Sequence, residues 1–369
     1  MTNVPFVDLK RQYSSLMPEI LDKTARAISQ CRFIGGEESS RFTQELADWW
    51  GVPGAVGVSS GTLGLYAALK SLGIGPGHEV ITTVHTAIPT SEAITMTGAR
   101  VVFCDIDPEK YVLDPDKLPS LITSSTKAVV PVHLYGHPVN MDRLMQVART
   151  NNLYVVEDCA QAQGARFNGK LVGTMGHAAV LSFFPSKNLG TIGDGGAVTA
   201  EDPDTLEYIR MFCNHGRKDK YRHEFEGTNC RLDNIKAAML QAALPHLDRW
   251  NMLRREAAQM YQERLKDVQE IILPSEADNC EHVYHLYVIL APDRDHLAQK
   301  LREQGIQTGL HYPCSLNLLP AYKHLGLGEG SFPIAEHVCS RVLSLPMFPG
   351  ITEEEIDKVC QTVKNICNA

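Results

Sequence analysis

The sequence predicts an α/β fold: a large domain with a mainly parallel sheet between helices, followed by a smaller α+β C-terminal domain. Short apolar runs alternate with helical patterns from about residue 54 to residue 200. Strands of a parallel sheet are buried on both faces, so they form continuous runs rich in Val and Ile. After residue 274 the order becomes strand, helix and strand, which indicates the second domain.

The strands of the large domain are predicted at residues 55–59, 79–84, 101–105, 128–133, 153–157, 179–183 and 196–199. Helical patterns lie between them, at residues 63–72, 91–97, 115–122 and 141–150. Ligands of such folds bind beyond the carboxyl ends of the strands. We therefore expect the functional side chains in the turns that follow the strands.

A long helical run at about residues 232–268 ends this alternation, and Pro245 is predicted to interrupt it. It is followed by a predicted strand at 284–290, a helix at 294–304 and a strand at 306–310. These patterns place an N-terminal segment and the large domain in residues 1–245 and the small domain in residues 246–369.

The chain has 369 residues, enough for two domains with a sizeable core, and 44% of them are hydrophobic. The net charge of -8 argues against a nucleic-acid partner. No apolar run approaches the length of about 18 residues that a membrane span needs. The ten cysteines form no CxxC pair and the first residues lack the pattern of a signal peptide, so we expect reduced thiols in a cytoplasmic protein.

The first candidate site is the turn at residues 58–62, between a predicted strand and an apolar helix. A helix N-terminus offers unpaired N–H groups and the positive end of the helix dipole, which favour a phosphate group. Gly61 permits close approach, and the hydroxyls of Ser60 and Thr62 can add hydrogen bonds. The alternative interpretation is simple N-capping by one of these hydroxyls.

The second candidate is the segment Glu157-Asp158-Cys159-Ala160-Gln161, which closes a predicted strand. Asp158 supplies an acid at the strand end, and Ala160 is small enough to lie beneath a flat ring. Gln161 could donate a hydrogen bond to a phenolic oxygen. Capping of the next segment is the alternative for Asp158.

The third candidate is the segment Ser182-Phe183-Phe184-Pro185-Ser186-Lys187-Asn188-Leu189-Gly190. A strand-end carboxylate and a loop lysine are what pyridoxal phosphate chemistry requires. Lys187 would form a Schiff base with the cofactor aldehyde, and Asp158 would keep the pyridine nitrogen protonated. Ser182 could bind the phosphate. A surface lysine in a flexible loop is the alternative.

Together these segments resemble the DegT/StrS family of pyridoxal-phosphate-dependent nucleotide-sugar aminotransferases. They occur in the order of that family, and similar segments extend over nearly the whole chain, at residues 5–9, 132–136, 193–197, 214–216, 229–233, 309–313 and 343–346. The resemblance implies the aspartate-aminotransferase-like fold, which is PLP fold type I, and a homodimer with shared active sites at the interface.

The same resemblance implies roles for individual residues. Lys187 would be the Schiff-base lysine, Asp158 would pair with the pyridinium, and Gln161 would contact the phenolic oxygen. Asn229 would reach the phosphate from the neighbouring subunit. The full set of predicted cofactor-binding residues is Ser60, Gly61, Thr62, His85, Asp158, Gln161, Ser182, Lys187 and Asn229.

The implied activity is amino transfer from an amino acid, glutamate by family similarity, to a nucleotide-linked 3- or 4-keto sugar in amino-sugar biosynthesis. The cofactor would be pyridoxal 5'-phosphate, which becomes pyridoxamine phosphate during turnover. Members of the dehydratase branch carry histidine at the lysine position, so Lys187 argues against that branch. A keto-cyclitol aminotransferase and a cofactor-binding regulatory protein without turnover are the alternatives.

Some segments depart from the family pattern. Ala87 stands where members often carry an aromatic residue against the cofactor ring, and His85 is the candidate to cover the ring instead. The stretch Asn317-Leu318-Leu319 stands where members commonly carry His-Leu-Gln. Asn317, His311 and Tyr312 form the candidate substrate set.

No metal site is predicted. His133 and His137 are separated by a strand end and a turn, where no helix aligns them, and no third ligand is evident.

Overall fold

The computed structural model describes residues 3–367. The strands are β1 (Val56–Val58), β2 (Glu79–Thr83), β3 (Arg100–Cys104), β4 (Thr126–Val130), β5 (Tyr154–Asp158), β6 (Arg166–Phe167), β7 (Lys170–Leu171), β8 (Ala178–Ser182), β9 (Gly196–Ala200), β10 (Cys280–Glu281), β11 (Tyr287–Leu290) and β12 (Val342–Leu345).

The helices are α1 (Leu9–Tyr13), α2 (Met17–Ser29), α3 (Glu37–Trp50), α4 (Gly61–Ser71), α5 (Pro89–Met96), α6 (Met141–Thr150), α7 (Pro203–Phe212), α8 (Asn234–Ala243), α9 (Leu247–Leu265), α10 (Arg294–Glu303), α11 (Pro333–Cys339) and α12 (Glu353–Cys367). Within residues 3–367 no helix combines the length and the apolar character needed to cross a membrane.

The main sheet has seven strands in the order β1-β9-β8-β5-β4-β2-β3. Neighbours from β8 to β3 pair in parallel, whereas β9 is antiparallel to both β8 and β1. β2, β8 and β9 are buried along their whole length, as expected when helices cover both faces of a sheet. The predicted α/β class with a mainly parallel sheet is confirmed.

The C-terminal part has its own antiparallel pair, β11 and β12, in which Tyr287 lies opposite Leu345. These strands, α9 and α12 enclose a separate hydrophobic cluster that includes Tyr261 and Ile356. The 3₁₀ turn Leu244–His246, which contains Pro245, separates α8 from α9. We propose to place the boundary between the two domains at this turn.

Two predicted elements differ from the structure. Residues 306–310 form no strand, because Ile306 makes only a single bridge to Val4 and Gly309 a single bridge to Ser344. The helix predicted at 115–122 is a 3₁₀ helix, Pro115–Ser120, with Pro119 inside it. A proline in the interior removes one backbone donor and disfavours a regular α-helix.

The fold brings three chain segments to one edge of the main sheet. β5 ends at Asp158, the adjacent β8 ends at Ser182, and α4 begins at Gly61 directly after β1. Because β5 and β8 are parallel neighbours, their carboxyl ends lie side by side. This edge therefore collects the three sequence segments that carry candidate chemistry.

Candidate active site

A cavity of about 380 Å³ lies at this edge of the sheet. Its walls include these sequence-predicted residues: Ser60, Gly61, Thr62, Asp158, Gln161, Ser182 and Lys187. The fold thus brings together most of the predicted cofactor set, although its members are far apart along the chain.

The N-terminus of α4 forms one wall. Ser60 is the N-cap, and its hydroxyl accepts a hydrogen bond from the Leu63 N–H at 3.2 Å. The first N–H groups of a helix have no partner within the helix, so those of Gly61 and Thr62 remain for an anion. A Cβ at Gly61 would lie 2.9 Å from Ser182 Cβ, so glycine lets the helix approach β8 closely. Capping and anion binding are therefore compatible at this turn.

Asp158 reaches the cavity with both carboxylate oxygens already held. Oδ1 accepts from the Ala160 N–H at 3.0 Å, and Oδ2 accepts from the Thr90 hydroxyl at 2.8 Å. Burial raises the pKa of Asp158 above its ordinary value, although these hydrogen bonds and the charge of Lys187 act in the opposite sense. A further cation beside this carboxylate would stabilise its charged form.

The loop that carries Lys187 is held by buried hydrogen bonds. The Gln163 amide donates to the carbonyl oxygens of Ser182 and Leu189, at 2.9 and 3.1 Å. Gln163 Oε1 accepts from the Leu189 N–H at 2.6 Å. Both ends of the loop are therefore fixed to one side chain, and the lysine projects from a rigid support.

The Lys187 amine is partly buried, and it makes no hydrogen bond or ion pair within residues 3–367. Burial lowers its pKa from 10.5 to about 8, and the Asp158 carboxylate partly opposes this effect. Burial also lowers the pKa of His285 and of His311, and the charge of Lys187 lowers both further. The site therefore contains an amine that is easily deprotonated, beside neutral imidazoles.

Gln161 presents its amide to the cavity in a fixed orientation. Its Oε1 accepts from the Tyr135 backbone N–H at 2.8 Å, and its Nε2 donates to the Tyr312 hydroxyl at 3.1 Å. No other acceptor within the described residues takes the second Nε2–H. This N–H is therefore the part of the amide that remains for a ligand.

Five predicted residues lie outside the cavity lining, and two of these, His85 and Asn317, are buried. His85 is buried, with its ring nitrogens 3.1 Å from Cys339 Sγ and 2.6 Å from Tyr135 Oη. These partners hold both ring nitrogens, and His85 does not line the cavity, so its contact with the cofactor stays a prediction. Asn317 is also buried, and its amide nitrogen donates to Glu336 at 3.2 Å.

The remaining predicted residues lie near the cavity or at the surface. His311 Nδ1 lies 2.9 Å from Ser344 Oγ, and Tyr312 contacts the lining through the Gln161 amide. Asn229 is exposed and does not line the cavity of its own chain. Its place in the site of a neighbouring subunit stays a prediction.

Sequence reasoning assigned no role to part of the lining, namely Leu65, Thr86, Pro89, Thr90, Val132, Phe184 and Asp194. Thr90 matters most among these, because its hydroxyl holds Asp158. Thr86 and Thr90 follow the strand predicted at 79–84, and that position is the signal that could have identified them.

His133, Glu157 and Cys159 form a buried cluster whose ligand-type atoms lie within 4.8 Å of one another. The Glu157 carboxylate already accepts from His133 Nε2 at 3.0 Å and from the N–H groups of Gly173 at 2.7 Å and Gly176 at 2.6 Å. Burial acts to raise the pKa of Glu157, but these hydrogen bonds together lower it below its ordinary value. The carboxylate therefore serves to hold the turn at 173–176.

The cavity fits pyridoxal phosphate by the chemistry of its donors. A helix N-terminus with a tight glycine suits the phosphate, a buried carboxylate suits a protonated ring nitrogen, and a lysine amine without a hydrogen-bond partner suits the aldehyde. This site on this sheet defines a pyridoxal-phosphate-dependent enzyme with the fold of aspartate aminotransferase. The chain belongs to the DegT/DnrJ/EryC1/StrS aminotransferase family, whose model matches residues 15–364.

The chain is similar over nearly its whole length to several known proteins. The pleiotropic regulatory protein of Geobacillus stearothermophilus is 42% identical over 363 residues, which cover 98% of each chain. The dTDP-3-amino-3,4,6-trideoxy-α-D-glucose transaminase of Streptomyces venezuelae is 42% identical over 361 residues, which cover 98% of this chain and 95% of that one. The crystal structure of S. venezuelae DesV in complex with a ketimine intermediate has a TM-score of 0.98 and 42% identity, with 100% of both chains covered.

Proposed function

We propose that the chain transfers an amino group from an amino acid, glutamate in the first instance, to a nucleotide-linked 3- or 4-keto sugar in amino-sugar biosynthesis. The observation that carries this proposal is the Lys187 amine, which combines a lowered pKa with a place beside Asp158. The S. venezuelae relative, named as the transaminase of a dTDP-linked amino sugar, supports the acceptor class.

Different residues of the chain would have different roles in the reaction. When bound, pyridoxal phosphate supplies an aldehyde that links to amines and a ring that accepts electrons. Lys187 would hold the aldehyde carbon, and Asp158 would hold the protonated ring nitrogen. Because its pKa is about 8, a substantial fraction of Lys187 Nζ is neutral near pH 7.5. Once the amine of the amino acid has replaced Lys187 on the aldehyde carbon, the neutral Lys187 Nζ could take the α-proton as general base and deliver it to that carbon as general acid.

The phosphate would be held by the α4 N-terminus, Gly61, Thr62 and the Ser182 hydroxyl. We further propose a homodimer in which Asn229 of a second copy completes this set, since Asn229 is exposed and has no place in its own cavity. A monomer in solution with full activity would contradict the shared site.

A cytoplasmic location is also part of the proposal. All ten cysteines are unpaired, and several of them are buried, which suits a reducing compartment.

The test compares the purified wild type with Lys187→Ala, each loaded with pyridoxal phosphate and supplied with glutamate and a nucleotide-linked keto sugar. We expect 2-oxoglutarate from the wild type and none from Lys187→Ala, which should also lack the visible absorbance of the lysine-bound cofactor. Lys170→Ala removes an exposed lysine and serves as the matched control. Full activity of Lys187→Ala would refute the proposed chemistry.

A regulatory protein without turnover is the second candidate, because one relative at 42% identity is named as a regulatory protein. The same assay separates the two functions if a free keto-inositol is included as an acceptor beside the nucleotide-linked sugars. A protein that binds the cofactor but releases no 2-oxoglutarate with any acceptor would favour the regulatory function. Turnover with the keto-inositol alone would favour a keto-cyclitol aminotransferase.

A further inference from the structure

A buried chain of hydrogen bonds runs behind the cavity wall, and Tyr135 is at its centre. The Tyr135 hydroxyl contacts the His311 carbonyl oxygen on one side and lies 2.6 Å from His85 Nε2 on the other. The opposite ring nitrogen, His85 Nδ1, lies 3.1 Å from Cys339 Sγ. Tyr135, His85 and Cys339 are all almost fully buried.

The direction of every bond in this chain follows from the carbonyl at its end. A carbonyl oxygen only accepts, so the Tyr135 hydroxyl donates to His311 and must accept from His85 Nε2–H. His85 Nδ1 then accepts from the Cys339 thiol. The histidine is therefore neutral with its proton on Nε2, and burial lowers its pKa to about 3, which agrees with this state.

Tyr135 also contacts the cavity lining through its backbone. Its φ of +61° lies in the left-handed region, which is uncommon for a residue with a side chain. In this conformation its N–H donates to Gln161 Oε1 at 2.8 Å. The Gln161 amide then donates to Tyr312, the residue after the carbonyl that the Tyr135 hydroxyl holds. Tyr135 thus supplies one hydrogen-bond partner of the Gln161 amide and holds the segment that carries the other partner, Tyr312.

We propose that Tyr135 is a positioning residue: its N–H orients the Gln161 amide and its hydroxyl holds the His311–Tyr312 segment, so that one Gln161 N–H faces the cofactor. This inference rests on the proposed function, because it assumes that pyridoxal phosphate occupies the cavity. Tyr135 itself does not line the cavity, so it acts through Gln161 and Tyr312.

The cofactor provides a readout other than activity. A Gln161 N–H donated to the phenolic oxygen of the cofactor stabilises that oxygen as an anion and weakens its hold on the proton that it shares with Lys187 Nζ. Loss of this donor should raise the pH midpoint at which the absorbance of the lysine-bound cofactor changes. Asp158, His285 and His311, the other groups that face Lys187, are not substituted in any variant.

The experiment titrates the visible absorbance of the loaded wild type, Gln161→Leu, Tyr135→Phe and Tyr312→Phe. We expect Gln161→Leu to raise the midpoint by about one pH unit or more, since a hydrogen bond to a charged group is lost. Tyr135→Phe keeps the backbone N–H but frees the His311–Tyr312 segment, so it should give part of that shift and lower kcat/KM about tenfold. If Tyr135→Phe does not fold, Tyr312→Phe carries the test with the same expected direction.

Tyr261→Phe is the matched control. Its hydroxyl is buried and also donates to a backbone carbonyl, that of Pro346 at 2.9 Å, but it lies in the separate C-terminal cluster. The Tyr261→Phe variant should be less stable than the wild type, but the pH midpoint of its cofactor absorbance should not shift. An unchanged midpoint in Tyr135→Phe, or in Gln161→Leu, would overturn the positioning proposal while leaving the proposed function intact. A wild type that does not bind the cofactor would instead remove the proposed function.

Discussion

The reactivity of the Lys187 amine at neutral pH gives a quantitative test of the site. An ordinary lysine with a pKa of 10.5 is neutral in only about 0.1% of molecules at pH 7.5. Burial lowers the pKa of Lys187 to about 8, so that about a quarter of the molecules are neutral at the same pH. At pH 7.5 the neutral, reactive form is therefore about two hundred times more populated at Lys187 than at an exposed lysine, and the cofactor-free protein should react faster with the aldehyde of pyridoxal phosphate.

The assay mixes cofactor-free protein with pyridoxal phosphate and follows the rise of visible absorbance from pH 6 to 11. We expect the rate to increase with pH and to level off above a midpoint near 8. Asp158→Asn removes the carboxylate that opposes the effect of burial, so its midpoint should fall below that of the wild type. Lys187→Ala gives the background rate. A wild-type midpoint at or above 10 would mean that burial does not control this amine.

Three further predictions follow from neighbouring contacts. Gly61→Ala should weaken cofactor binding at least tenfold at equilibrium, because the new Cβ would lie 2.9 Å from Ser182 Cβ. The control Gly328→Ala, which has open space around its Cβ, should bind the cofactor as the wild type does. Thr90→Val should raise the pKa of Asp158 and reduce kcat/KM about tenfold, since one hydrogen bond to the carboxylate is lost. A variant with the kcat/KM of the wild type would contradict the supporting role of Thr90. Lys187→Met should stabilise the cofactor-free protein toward urea at pH 7 by about 3 kcal/mol, because the folded pKa lies below the unfolded one and protonation opposes folding. This gain should disappear as the pH rises from 8 to above 10.5, and a gain that persists at pH 11 would have another cause.

The parts of the site that the sequence predicted are those whose signal is local. Lys187 and Asp158 each follow a strand, and Gly61 opens a helix, so short-range patterns place all three at one sheet edge. The small domain was less predictable: the pattern at 306–310 predicts a strand, but in the fold this segment makes only single bridges. Propensity predicts a segment that could pair, whereas the neighbouring strands decide whether it does.

His85 illustrates why the other contacts around the site could not be predicted from the sequence. It follows a predicted strand, as a cofactor-binding residue would, yet its partners are 50 and 254 positions away in sequence. Gln163 is a similar case, because it meets the Lys187 loop only after β5 and β8 have paired. Contacts at such separations leave no periodic pattern in the sequence.

A physical criterion separates the two kinds of polar residue around this cavity. Burying an unpaired polar group is costly, so a side chain that only supports the fold has its hydrogen-bonding groups satisfied. Both nitrogens of His85 and the Gln163 amide meet that condition. The Lys187 amine and the second Gln161 N–H do not, within the part of the chain that the structure describes. Groups left unpaired at the wall of a cavity are those that a ligand can satisfy, so we expect Lys187 and Gln161 to contact the cofactor. Asp158 can do so as well, because each carboxylate oxygen accepts more than one hydrogen bond.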